Sequence, residues 1–69
     1  MMDTKQSTYV RMLTIGQVFW DEEQLWEVTR EPLIENDSRV LIYIRPHPHQ
    51  EGERSRAFYY ANDKRVNLA

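Results

Sequence analysis

The run Arg39-Val40-Leu41-Ile42-Tyr43-Ile44-Arg45 is apolar at both parities, rich in β-branched and aromatic residues, and closed by an Arg at each end. A run of this length and composition predicts a central β-strand. Side chains alternate across a strand, so Val40, Ile42 and Ile44 share one face and Leu41 and Tyr43 the other, with Arg39 and Arg45 beside them. The β-branched trio is the expected core set. Residues 55–61 repeat the pattern, with Phe58 and Tyr60 on one face and Ala57, Tyr59 and Ala61 on the other.

The pattern around these strands is more broken. Residues 1–8 are polar and offer too little apolar surface to offset ordering entropy, which predicts a disordered lead-in before a single domain over 9–69. From Tyr9 to Ile15 the β-branched residues favour a strand over a short helical turn. After Gly16, two apolar runs flank Asp21-Glu22-Glu23-Gln24, the pattern of a hairpin with an acidic turn. The expected core side of that hairpin is Val18 and Trp20 opposite Trp26 and Val28. The opposite parity, with Phe19 and Leu25 inward, puts both tryptophans on the surface. Pro32 ends the second strand, and Leu33-Ile34 caps the core. Residues 35–38, Glu-Asn-Asp-Ser, form a turn, because Asn and Asp bond their own main chain. Residues 46–53 form a loop with two prolines and a Gly. A last turn at 62–64 leads to a closing strand over 65–68, with Val66 and Leu68 inward.

Five short strands with turn signals every eight to twelve residues, roughly, indicate an all-β fold. The expectation is a small five-stranded SH3-like, partly open barrel or a strongly curved antiparallel sheet. Composition sharpens this. A 69-residue chain buries only about 60% of its unfolded surface, so eight aromatic side chains substitute for core size. With no Cys, disulfides, thiolate zinc sites and thiol nucleophiles are excluded. The polar N-terminus lacks an apolar signal region, and the longest apolar run is far too short to span a bilayer. A cytoplasmic, soluble protein without a membrane partner is expected. The net charge of −2 gives no global field toward nucleic acid.

Candidate chemistry is sparse. With Val40, Ile42, Ile44, Phe58 and Tyr60 inward, Leu41, Tyr43 and Tyr59 share the outer face, flanked by Arg45 and Arg39. Exposed Tyr beside Arg is the chemistry of binding hot spots. The expected partner-binding set is Leu41, Tyr43, Arg45, Tyr59, Arg39 and Arg56. The function this predicts is a non-catalytic protein-binding module, an adaptor or inhibitor docking on a larger protein machine. Its length suits accessory proteins of phages and mobile elements. The alternative is single-stranded RNA or DNA binding, with bases stacked on the same rings and Arg39, Arg45, Arg54 and Arg56 holding phosphate. A homo-oligomer that covers the outer face is the third reading.

His47-Pro48-His49 has metal-ligand residue types, but a closed zinc site needs four ligands, and a solvated loop stiffened by proline is the expected role. Asp21-Glu22-Glu23 lies on a wet turn, where nothing drives carboxylate pKa values apart for acid–base work. Ser7, Ser38 and Ser55 sit in expected disorder or turns, neither His has an obvious orienting neighbour, and no Gly-rich phosphate loop is present. No catalytic residue, resident metal or cofactor is therefore assigned.

Overall fold

The computed structural model of the chain describes residues 6–69. Seven strands are present among them: β1 (Ser7–Tyr9), β2 (Val18–Asp21), β3 (Gln24–Val28), β4 (Leu33–Ile34), β5 (Arg39–Pro46), β6 (Arg56–Ala61) and β7 (Arg65–Leu68). Every pairing is antiparallel. The path runs β1-β7-β2-β3-β5, and β5 also pairs with β4 and β6. The sheet curls strongly into a half-barrel, so the fold is all-β and a partly open barrel. Five of the strands are those the sequence predicts; β1 and β4 are additions, each too short to leave a pattern.

The long strand β5 organises the sheet. Along one edge it pairs with β6 from Arg39 to Ile44. Along the other it pairs with β3 at Ile44 to Pro46 and with β4 at Val40 and Leu41. Its burial alternates as expected: Val40, Ile42 and Ile44 are fully buried, and Leu41 and Tyr43 are half-buried on the opposite face. Val10, Leu13, Phe19, Val28 and Val66 complete the buried core, with Trp26, Tyr60 and Leu68 packed against it. No polar side chain is buried among the described residues. Burial of this apolar set, at about 25 cal/mol per Å², is what stabilises so small a chain.

The Asn-Asp turn forms as expected. The Asn36 Oδ1 accepts from the backbone N–H of Ser38 at 2.8 Å and of Arg39 at 3.1 Å, which sets the chain into β5. The β6–β7 turn is tied to the rest by Asn62, whose Nδ2 donates to the Asp37 carbonyl at 3.2 Å. The Arg11 guanidinium in turn donates to the Asn62 carbonyl at 2.7 Å.

Leu33 and Ile34 do not cap the core but are exposed on β4, and Phe58, expected inward, is 37% exposed where the half-barrel stays open. Three further expectations are corrected. First, residues 9–15 are not one strand: Val10–Met12 is a 3₁₀ turn. Three residues per turn put Val10 and Leu13 on one side, where both are buried, and leave Met12 and Ile15 exposed. Second, the lead-in expected over 1–8 does not include Ser7 and Thr8. Residues 1–5 lie outside the described residues, but Ser7 and Thr8 pair with Asn67 and Val66 as part of β1; ladder hydrogen bonds to β7 supply what their side chains do not. Third, the inward face of β2 is reversed. Phe19 is fully buried, and Trp20 is 46% exposed. On β3, Trp26 and Val28 do face the core, so the two tryptophans divide between the faces.

The reason lies in the turn. Asp21 pairs with Gln24, so Glu22 and Glu23 alone make the loop, with φ of 52° and 64°. Two central residues at positive φ mark the tight hairpin turn whose twist matches its strands. That register sets Phe19 opposite Trp26 and Trp20 opposite Leu25.

Candidate functional site

The outer, convex face holds most of the expected binding set. Arg39, Leu41, Tyr43 and Arg45 alternate outward along β5, and Tyr59 lies opposite Leu41 on β6. Leu33 of β4 lies opposite Leu41 on the other side. The result is one cross-strand row, Leu33–Leu41–Tyr59, in which Leu33 is 56% and Tyr59 is 52% exposed. Ile34 is exposed beside it. Arg56 does not join them: it lies opposite Ile44, with the parity of Phe58 and Tyr60, and is exposed at the start of β6.

The charged groups around the row are paired within the chain. The Arg39 Nε donates to Glu35 Oε1 at 3.0 Å, and its guanidinium lies 4.1 Å over the Tyr59 ring. The Tyr59 hydroxyl donates to Glu35 Oε2 at 2.9 Å. That hydrogen bond, helped by Arg39, holds the Glu35 carboxyl below the usual carboxylate range; the same bond and the Glu35 charge raise the Tyr59 phenol, against the opposing pull of Arg39. The Arg45 Nε donates to Glu27 Oε1 at 3.0 Å, and Arg30 lies 5.0 Å over the Tyr43 ring. The rings are thus capped by the chain's own guanidiniums, and Arg39 and Arg45 each hold a carboxylate.

A second concavity opens on the other side of β6. A cleft of about 410 Å³ lies between β6 and the β2–β3 tip, lined by Asp21, Glu22, Gln24, Trp26, Phe58, Tyr59 and Tyr60. Trp26 and Phe58 meet edge to face, with ring centroids 5.8 Å apart. The Tyr60 hydroxyl donates to Asp21 Oδ2 at 2.7 Å, and Lys64 Nζ lies 3.7 Å from Asp21 Oδ1. Half-burial, then the Asp21 bond and the charges of Asp21 and Glu22, push the Tyr60 phenol well above the ordinary tyrosine range. No sequence signal marks this cleft, because it forms between strands that are not ladder neighbours.

The Tyr60 proton gives a testable pH response. A phenol whose pKa is raised by folding stabilises the fold fully below the unfolded value near 10, and that stability is lost as pH rises toward the folded value. Tyr60→Phe is expected to cost about 1 kcal/mol at pH 7 by removing the hydrogen bond to Asp21. It is also expected to lose stability less steeply than the wild type above pH 10. Urea midpoints at pH 7 and at higher pH measure both effects.

The loop histidines do not gather ligands. His49 Nδ1 lies 3.7 Å from Glu27 Oε1, and among the described residues no group of three or more His, Asp or Glu side chains is placed to hold a metal ion. Also among the described residues, no helix is long and apolar enough to cross a membrane. No protein-family model matches the chain, and no curated protein or solved structure matches it either.

Proposed function

We propose that the chain is a non-catalytic protein-binding module that docks through the convex face of β4, β5 and β6. The observation that carries this reading is the exposed row Leu33–Leu41–Tyr59. Tyr59 with Arg39 beside it is the pair of residue types enriched at interface centres, and the two leucines add apolar surface that excludes water around them. Glu35 and Arg39 border the row as a polar rim. An adaptor or an inhibitor of a larger protein machine uses such a face in the same way, by covering a site on its partner.

The arginines favour this reading over single-stranded nucleic acid. A base stacked on Tyr59 would displace Arg39 from the ring, and phosphate would compete with Glu35 and Glu27 for Arg39 and Arg45. With a net charge of −2, there is little counterion release to offset that competition.

The test is affinity capture from a native lysate with wild-type bait and with Leu33→Glu/Tyr43→Ala bait, neither residue lining the cleft. The wild type is expected to retain a protein partner at 0.5 M salt, roughly, where phosphate contacts fail, and the double variant to lose it while its circular dichroism is unchanged. Equal recovery by a folded variant removes this face from the proposal. A shift of short oligonucleotides at low salt favours nucleic acid instead, and concentration-dependent light scattering favours a second copy of the chain.

A further inference from the structure

The cleft between β6 and the β2–β3 tip has a chemistry distinct from that of the convex face. We propose that it receives a lysine or arginine side chain presented by a partner protein. The source of that side chain rests on the protein-binding reading above; the selectivity for a cation rests on the cleft alone.

Three observations carry it. The walls are aromatic: Trp26, Phe58, Tyr59 and Tyr60 line the space. Ring faces carry negative potential and attract ammonium and guanidinium groups. One end is anionic, formed by Asp21 and Glu22. Asp21 already has Lys64 at 3.7 Å, so a cation beside this carboxylate is compatible with the fold, and Lys64 itself does not line the cleft. Finally, the Tyr60 hydroxyl donates to Asp21 Oδ2 at 2.7 Å, and its phenol is raised by burial first and then by that bond and the charges of Asp21 and Glu22, the same charges that favour an incoming cation.

The charge excludes anionic ligands, and a volume of about 410 Å³ is at the small end of ligand sites. An alkyl stem fits the aromatic walls while its charged head reaches the carboxylates, the division of contacts that long basic side chains adopt. A neutral apolar side chain would satisfy the walls but bring no charge to Glu22, which has no ion-pair partner among the described residues.

The experiment is an NMR titration of the full chain with capped Gly-Lys-Gly and Gly-Arg-Gly, and with capped Gly-Gln-Gly as the neutral control. The basic peptides are expected to shift the Trp26 indole and the Phe58 and Tyr60 rings, saturating in the millimolar range, roughly. The glutamine peptide is expected to leave them in place. Phe58→Leu, which keeps apolar volume and removes the ring face, is expected to weaken binding about three- to tenfold. Glu22→Gln, on an exposed turn outside the core, is expected to weaken it about threefold and gives a second readout if Phe58→Leu folds poorly. Equal shifts with the glutamine peptide would overturn the proposal. So would shifts confined to Glu35 and Asp37, or none at tens of millimolar, roughly. These outcomes are independent of the lysate capture, so a failure here is distinguishable from a failure of the convex face.

Discussion

Phe19→Ala is expected to unfold most of the population at ambient temperature, whereas Trp20→Ala is expected to leave the chain folded. Phe19 is fully buried and stands opposite Trp26 on one side and Leu68 on the other. Truncating a buried Phe costs about 3–5 kcal/mol, the transfer free energy plus the cavity left behind. At roughly 0.05–0.15 kcal/mol per residue, a domain of this size has about 3–10 kcal/mol in total. Trp20 faces outward beside Leu25 and Asn67, and removing it is expected to cost about 1 kcal/mol or less. Urea unfolding followed by circular dichroism separates the two variants. A stable Phe19→Ala beside an unfolded Trp20→Ala would return the core to the opposite parity.

The second large effect has the opposite sign. Glu22→Asn/Glu23→Gly is expected to stabilise the fold by about 2 kcal/mol, raising Tm by roughly 8–16 °C. Both glutamates sit at positive φ with no loop residue to spare. Left-handed backbone costs an ordinary L-residue about 1–2 kcal/mol, and Asn-Gly is the pair this turn accepts with least strain. Glu23→Gly alone is expected to recover about half the gain while keeping the Glu22 carboxylate. Thermal unfolding measures both variants. A lower Tm in either would show that the turn is not strained as its backbone implies.

The fold was legible where alternation and length agreed. β5 has eight residues, and its two parities differ in kind: β-branched on one face, Leu, Tyr and Arg on the other. That contrast identified the core trio and the outward Leu41 and Tyr43. In β2, Val18, Phe19 and Trp20 are all apolar, so polarity says nothing about which side is inward. Register decides instead, and in a hairpin with a two- or four-residue loop an even-numbered residue always faces an odd-numbered one. Trp20 and Trp26 are both even and therefore cannot share a face. The loop length held that information, but Glu-Glu carries none of the Asn-Gly signal that marks such a turn.

The candidate surfaces divide the same way. The outward positions of Leu41, Tyr43 and Tyr59 follow from strand period. The capping of Tyr59 by Arg39 and Glu35, the pairing of Arg45 with Glu27, and the addition of Leu33 depend on β3 and β4 lying along one edge of β5. Two residues after a proline give no periodicity from which that position could be read. Composition groups Arg56 with the rings, but the β5–β6 register places it on the other side.

The half-barrel closes differently on its two flanks. Beside β7 and β3 the walls are held by main-chain ladders, but β6 meets the hairpin tip through a phenol, a carboxylate and two edge-on rings. These side-chain contacts abut the core, since Trp26 stands opposite Phe19 and Phe58 opposite Ile42. The two flanks therefore differ in what one substitution can remove: a side-chain change at the β6 flank takes away a whole contact, whereas one along a ladder leaves the main-chain bonds in place.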